Sequence, residues 1–170
     1  MTLALLPYEG DLGQLKEVFA AYPSGLAAIG AQLDGDEVLM IASSFTVGVS
    51  YDPPLCSVAI QKSSQTWSRL RGAERVGVSA LGADHASAVR QLASRDRQGR
   101  LAGLDVVRTD AGALLLGGAA AWFECRVRAH HDAGDHTIAL LEVVSTRTAP
   151  GTRPLVLHHG RVNQPARLDA

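Results

Sequence analysis

A chain of 170 residues can bury one sizeable hydrophobic core and is hard to divide, so we expect residues 1–170 to form a single domain. Because 16 Lys and Arg stand against 17 Asp and Glu, without a basic block, nucleic acid is a poor partner. Apolar residues make up 46% of the chain, but their runs are too short for a membrane span. Residues 1–13 lack the basic segment of a secretory signal, so a cytoplasmic location is expected.

The first expected element is an amphipathic helix over residues 11–22, with Asp11 as its N-cap. Its apolar residues recur at helical spacing: Leu12, Leu15, Phe19 and Tyr22. We expect this apolar stripe to lean on the core.

The segments that follow indicate a mainly β protein with short helices. Residues 25–33 and 37–42 form a hairpin through Asp34-Gly35-Asp36, because Asp-Gly tolerates the positive φ of a tight turn. The prolines of Asp52-Pro53-Pro54 cannot donate to a ladder, so a strand over residues 55–60 begins after them. Further strands are predicted over residues 75–81, 119–131, 137–147 and 154–158, helices over 64–71 and 84–93, a charged loop over 94–103 and a tight turn over 132–135. Hairpin turns without regular strand–helix alternation favour an antiparallel barrel over a doubly wound sheet.

Cysteine and histidine spacing argues against metal chemistry. Cys56 and Cys125 lie far apart in apolar, strand-like surroundings, so we expect two reduced core residues. The adjacent histidines at 130–131 and 158–159 lie in strands, where neighbouring side chains point to opposite faces and cannot chelate one ion. No metal site is therefore expected.

The chain has no Gly-rich dinucleotide fingerprint, phosphate-binding P-loop, zinc-helix motif or nucleophile elbow, so any nucleotide is bound in another way. The alternative is an anion cradle at the start of the helix over 64–71, built from Lys62, Ser63, Ser64 and Thr66. The competing interpretation is that Ser63 or Ser64 caps the helix and Lys62 is merely solvated. Likewise, Ser43 and Ser44 either bond the edge of a planar ring or simply end a strand.

Taken in order, these and other segments resemble the flavin reductase family, the small components of two-component flavin monooxygenases. The resemblance covers nearly the whole chain, and no single fragment carries it alone. The matching segments are Tyr22-Pro23-Ser24-Gly25-Leu26, Ile41-Ala42-Ser43-Ser44-Phe45, Ser50-Tyr51-Asp52-Pro53-Pro54-Leu55, Ser64-Gln65-Thr66-Trp67, Ala121-Trp122-Phe123-Glu124-Cys125, Gly134-Asp135-His136-Thr137-Ile138 and His159-Gly160-Arg161-Val162.

The resemblance implies an FMN-binding split β-barrel with Greek-key strand order. It also implies a homodimer that binds one flavin per subunit near the dimer interface. Such a protein uses NADH or NADPH to reduce FMN or FAD and supplies the reduced flavin to a partner monooxygenase. By carry-over, Ala42, Ser43, Ser44 and Phe45 border the isoalloxazine and ribityl chain, Lys62, Ser63, Ser64 and Thr66 hold the phosphate, and Ala93 is a further flavin contact.

His136 occupies the Gly134-Asp135-His136 corner, where the family places a histidine that faces the nicotinamide. Hydride transfer needs two stacked planar rings, so we expect this catalytic histidine to orient the nicotinamide rather than to transfer a proton. The alternative is a turn histidine bonded to Asp135.

The sequence also departs from the family pattern. Val162 replaces the usual aromatic residue, and residues 98–101 replace a loop that commonly carries an Arg-Phe pair, so ring stacking is lost at both places. The chain ends soon after Arg161, which favours a freestanding reductase. Two rivals stay open: a flavin-binding or flavin-storage protein of the same fold, towards which Val162 points, and an oxidase of the pyridoxamine phosphate type. The Gly-Asp-His corner and the Asp-Pro-Pro entry argue against the oxidase.

Overall fold

A computed structural model describes residues 4, 5 and 7–165. The expectation about a leader segment rests partly on residues 1–3 and 6, which lie outside the described residues. No helix within the described residues is both long enough and apolar enough to cross a bilayer.

Twelve strands, three α-helices and one 3₁₀ helix make up the regular structure of the described residues. In chain order they are α1 Leu12–Ala20, β1 Ser24–Gly25, β2 Ala27–Leu33, β3 Asp36–Ala42, β4 Thr46–Tyr51, β5 Pro54–Gln61, α2 Gln65–Leu70, β6 Val76–Ala80, the 3₁₀ helix Ala83–Ala88, α3 Val89–Leu92, β7 Val106–Arg108, β8 Ala113–Leu116, β9 Ala121–Ala133, β10 His136–Thr148, β11 Val156–His158 and β12 Arg161–Asn163.

The strands form one large and one small antiparallel sheet. The large sheet has the order β4-β5-β10-β9-β6-β2-β8-β7, with β3 paired to β2, and the small sheet has the order β1-β11-β12. β5 lies beside β10 rather than beside its chain neighbour β6, so distant segments meet. Because β4 and β7 end the order, the large sheet does not close on itself. The predicted mainly β, split-barrel fold is confirmed.

The hairpin of β2 and β3 turns where the sequence predicts. Asp34 and Gly35 both have positive φ, at 51° and 86°, and Leu33 pairs with Asp36 across the turn. This backbone conformation is the one that an Asp-Gly pair adopts easily. The turn fixes the register of β3 and therefore the position of Ala42 and the serines that follow it.

The core divides into two clusters on either side of β2. Ile29 belongs to the cluster inside β5, β6, β9 and β10, whereas Ala28 belongs to the cluster of β3, β8 and α3. Neighbouring residues of a strand point to opposite faces of the sheet, so both faces of β2 are buried. This explains the continuous apolar run of β2. β8 passes so close to β6 that a Cβ on Gly77 of β6 would lie 2.3 Å from the Leu114 carbonyl oxygen of β8. Only glycine fits at this crossing.

Both cysteines are free thiols buried in the first of these clusters, as expected. Burial raises the pKa of Cys56, and burial together with the nearby Cys56 raises the pKa of Cys125 to about 12. Neither thiol ionises near neutral pH, so both act as packing residues.

The prediction that α1 packs against the core is wrong. Asp11 caps the helix, since its Oδ1 accepts a hydrogen bond from the Gly13 amide at 2.8 Å. No residue of the helix is buried, however, and Phe19 and Tyr22 are 67% and 77% exposed. Helical spacing predicts an apolar stripe but does not determine what covers it.

Several short elements are missing from the sequence prediction. These are β1, β4, β7, β8 and β12, and the helix predicted over residues 84–93 begins as the 3₁₀ helix. In β4, Gly48 has a φ of 71° and the register with β5 shifts between Thr46 and Ser50. Such a bulge breaks the alternation by which a strand is recognised.

Candidate functional site

An open cavity of about 380 Å³ lies where the end of β3, the end of β5 and the start of β10 meet. Five sequence-predicted residues line it: Ala42, Ser43, Ser44, Ser64 and His136. Its size falls within the range of small-molecule sites, about 300 to 1,000 Å³. The structure therefore gathers half of the predicted site into one place.

Ser43 and Ser44 form the exposed lip of this cavity. The Ser44 hydroxyl donates to the Ala59 carbonyl at 2.6 Å, which ties the segment after β3 to β5. Its oxygen can still accept a hydrogen bond, and the Ser43 hydroxyl can donate or accept. The pair can therefore bond the polar edge of a planar ring.

Phe45 is directed away from the cavity lining. Its ring packs against Phe123, with the ring centroids 5.7 Å apart, and contributes to the core cluster inside the barrel. The Phe45 side chain therefore helps to hold the serine segment in place rather than to line the cavity.

Ser64 has a structural role as well as a place in the cavity. Its Oγ accepts a hydrogen bond from the Trp67 amide at 3.2 Å, so the interpretation of Ser64 as the cap of α2 is confirmed. The hydroxyl hydrogen is still available, because a serine can donate one bond while it accepts others. Capping and ligand binding are thus compatible at this residue.

Lys62 and Ser63 lie at the exposed turn before α2. The Lys62 Nζ is 3.3 Å from an oxygen of the exposed Asp132, across a neighbouring cavity that Ser64 also lines. An exposed ion pair of this kind contributes little and exchanges easily. Lys62 is therefore free to turn towards an anion held near Ser64.

Thr66 and Ala93 do not line the cavity. Thr66 is 7% exposed, and its hydroxyl lies 3.4 Å from Nη1 of Arg100 in a separate crevice. Ala93 is an exposed residue at the C-terminal end of α3. The residues expected around the phosphate thus occupy two different places in the structure.

His136 reaches the cavity because β5 and β10 pair, with His136 opposite Gln61. Its Nδ1 lies 2.7 Å from an Asp135 carboxylate oxygen, as the turn interpretation expected. The hydrogen bond from His136, together with the charge of its ring, lowers the pKa of Asp135. Asp135 therefore stays ionised at neutral pH and fixes one side of the ring, while the other side is left for a ligand.

Gln61 lines this cavity and Arg100 lines the separate crevice beside Thr66, and neither was predicted from the sequence. Gln61 lines the cavity one position before Lys62, at the end of β5, which is a recognisable place for a ligand contact. Arg100 lies in the loop over residues 94–103, where no local pattern reveals its bond to Thr66.

Val162 packs against the second core cluster, so its difference from the family pattern alters the core there.

Known proteins resemble the chain over nearly its full length. The family model for the flavin reductase like domain matches residues 19–166. An actinorhodin polyketide dimerase of Streptomyces coelicolor is 34% identical over 146 residues, which cover 86% of this chain and 82% of that protein. The NADH:FAD oxidoreductase SgcE6 of Streptomyces globisporus, solved in complex with NAD and FAD fragments, is 30% identical with a TM-score of 0.89, covering 98% of this chain and 100% of the other.

A third similar protein is BorF, the flavin reductase component of a bacterial two-component tryptophan halogenase. It is 30% identical with a TM-score of 0.83, covering 92% of this chain and 100% of the other. The resemblance drawn from the sequence segments is confirmed. The chain belongs to the flavin reductase family.

Proposed function

We propose that this protein is an NAD(P)H:flavin oxidoreductase that supplies reduced FMN or FAD to a partner monooxygenase. The observation that carries the proposal is the cavity at the end of β3, where Ser43, Ser44, Ser64 and His136 converge in a chain of this family. The hydroxyl-rich lining and the adjacent lysine are suited to a flavin with its phosphate. When bound, the flavin accepts a hydride from the reduced nicotinamide.

In this proposal the residues of the cavity position the two rings. Ser43 and Ser44 bond the polar edge of the isoalloxazine, and Ala42 leaves room for its face. His136, held by Asp135, contacts the nicotinamide carboxamide or ribose from the β10 side. Hydride transfer requires the rings to stack at about 3 to 3.5 Å, so orientation contributes more than acid–base chemistry.

We assign the flavin phosphate to Lys62, Ser63 and Ser64. Ser64 lies between the ring cavity and the cavity that Lys62 spans, so a phosphate there meets both the hydroxyl hydrogen and the ammonium group. The Thr66 hydroxyl accepts a hydrogen bond from Arg100. Thr66 can therefore contact a phosphate only at a position that Arg100 also reaches.

We also propose a homodimer that works with a monooxygenase in the cytoplasm. Several large apolar side chains of β4 and β10 are exposed, and contiguous exposed apolar surface marks an interaction site. Two free thiols are typical of a protein in a reducing compartment. The monooxygenase partner is inferred from BorF, which is one component of a two-component enzyme.

The test is oxidation of NADH and of NADPH by the purified protein, followed by absorbance with and without FMN or FAD. We expect oxidation only when a flavin is present, with the flavin turning over many times under air. A protein that binds flavin but does not oxidise either nicotinamide would be a flavin-storage protein, and the proposal would be wrong.

A further inference from the structure

A second cavity, of about 350 Å³, lies between α2 and the hairpin of β9 and β10. One face of α2 and its capping residues lines it, because spacings of three and four residues place side chains on the same side of a helix: Ser64, Trp67, Ser68 and Arg71. The cavity shares Gln61 and Ser64 with the proposed flavin-ring cavity at the end of β3. It therefore adjoins the place to which we assign the flavin phosphate.

His130 lines this cavity because β9 contains a bulge. Arg128 is left out of the pairing between β9 and β10, which shifts the register at this point. An extra residue reverses the alternation of side chains along a strand, so Val127 and His130 both face the core side although they are three positions apart. His130 lies opposite Ala139, which is fully buried. The bulge therefore directs an imidazole ring at the indole of Trp67.

Two buried ring nitrogens of residues that line this cavity have no hydrogen-bond partner among the described residues. They are Nε1 of Trp67 and Nε2 of His130, and the Trp67 residue is only 5% exposed. The two rings meet edge to face, with their centroids 6.0 Å apart. An indole N–H can only donate, and a buried donor without an acceptor is costly. A ligand oxygen that reaches the indole therefore satisfies a group that the protein leaves unsatisfied.

The charged side chains of the cavity leave one positive charge in excess. The exposed pair of Lys62 and Asp132 cancels, and Arg71 lies within ion-pair distance of no carboxylate in the part of the chain that the structure describes. Burial, followed by the charges of Arg71 and His131, lowers the pKa of His130, so this ring is neutral at neutral pH. A guanidinium, an ammonium, hydroxyls and an indole N–H are donors that suit an oxyanion.

We propose that this cavity binds a phosphate group that does not belong to the flavin, as inorganic phosphate or a small phosphate monoester, and that its binding opposes the binding of FMN. Arg71 and the Trp67 indole hold the phosphate, and Lys62 and Ser64 are shared with the flavin phosphate. Two phosphates at shared residues repel each other, whereas riboflavin has no phosphate to repel. The opposition rests on the proposed function, because the flavin ring must lie at the end of β3. The cavity volume is at the lower end of small-molecule sites, about 300 to 1,000 Å³.

The first experiment titrates the protein, purified without added flavin, with inorganic phosphate and with glycerol 3-phosphate at constant ionic strength. The chain has two tryptophans, so in Trp122→Phe the fluorescence reports Trp67 alone, and calorimetry of the wild type measures the same affinity. We expect a saturable change with at least one of the two probes and none with chloride. Arg71→Gln should weaken phosphate by about 10- to 150-fold, with partial rescue in Arg71→Lys. The control Arg126→Gln, an exposed residue of β9 outside the cavity, should change nothing.

The second experiment titrates FMN and riboflavin with and without phosphate. Phosphate should lower the affinity for FMN and leave that for riboflavin unchanged, and Arg71→Gln should remove this effect. The inference is overturned if neither probe binds saturably, if Arg71→Gln binds phosphate as the wild type does, or if phosphate does not lower the affinity for FMN more than that for riboflavin. It is also overturned if Arg71→Gln weakens FMN as much as phosphate, because the cavity would then hold the flavin's own phosphate. The proposed function has a separate readout, since it fails only if the wild type reduces neither flavin with NADH or NADPH.

Discussion

The position of His136 is compatible with both interpretations drawn from the sequence. Its Nδ1 is bonded to Asp135 at the hairpin corner, as in a turn residue, yet its ring lines the cavity with Ser43 and Ser44. His136 is far from the serine segment in the sequence but close to it in space, because β10 pairs with β5. We propose that it positions the nicotinamide.

Replacing His136 by Ala should impair use of the nicotinamide while flavin affinity changes little. Loss of one such contact costs about 1 to 3 kcal/mol, roughly a 5- to 150-fold decrease in kcat/KM for the nicotinamide. The pH dependence of the wild type should stay shallow between about pH 6 and 8, because hydride transfer needs no proton from this ring. Stopped-flow reduction of bound flavin measures the effect, with a separate flavin titration.

The matched control is His131→Ala, because His131 is exposed on β9 and pairs with Ile138, two positions from His136. This variant should behave as the wild type. If His136→Ala reduces flavin as fast as the wild type at limiting NADH and NADPH, then His136 is only a turn residue.

At the scale of the element, the start of α2 combines a helix cap with a place in the proposed phosphate site. The helix spans six residues and depends on Ser64 to satisfy the Trp67 amide. Ser64 and Thr66 are two positions apart, and residues at that spacing do not share a face of a helix. This explains why Ser64 lines the ring cavity while Thr66 faces Arg100.

Two substitutions at Ser64 separate its two roles. Ser64→Ala removes the cap, which costs about 1 kcal/mol of stability. It should also lower the affinity for FMN more than the affinity for riboflavin, because riboflavin has no phosphate. Ser64→Asp keeps a good cap but places a negative charge beside the phosphate, so it should preserve Tm and weaken FMN further. Titration of both ligands and thermal unfolding test this.

Adding Thr66→Ala to Ser64→Ala should lower the affinity for FMN further or leave it unchanged. In either case the affinity for riboflavin should not change. If riboflavin and FMN lose affinity equally in these variants, Ser64 does not contact the phosphate.

At the scale of the whole molecule, two groups of exposed apolar residues stand out among the described residues. The first is on α1, and the second comprises Val47, Val49 and Tyr51 of β4 with Ile138 and Val144 of β10. Ile138 of the second region lies two positions after His136 on β10, so the two residues are on the same face of the sheet. We propose that a second copy of the chain covers the β4–β10 region.

Light scattering in dilute solution should give about twice the chain mass of 17.9 kDa. Ile138→Lys places a charge on the exposed side of β10 and should shift the protein towards the monomer, because an unpaired charge in an apolar interface is costly. The control Val107→Lys lies on the opposite edge strand, β7, and should leave the mass unchanged. A wild-type monomer that reduces flavin at full rate would contradict the proposed dimer.

The sequence by itself determined what depends on local chemistry. The Asp34-Gly35 turn, the cap at Ser64 and the proline-bounded start of β5 each follow from the conformations that those residues prefer. Ordered segments such as Gly134-Asp135-His136 also identified the family, because residue order along a chain is itself a sequence property.

Only the tertiary structure decided which residues meet. The antiparallel pairing of β5 with β10 brings His136 opposite Gln61, and the path of the loop after α3 sets Arg100 against Thr66. The same holds for α1, whose apolar stripe is visible in the sequence and is left uncovered by the core. Such contacts depend on strand order and register between distant segments, and no local preference of the residues involved specifies them.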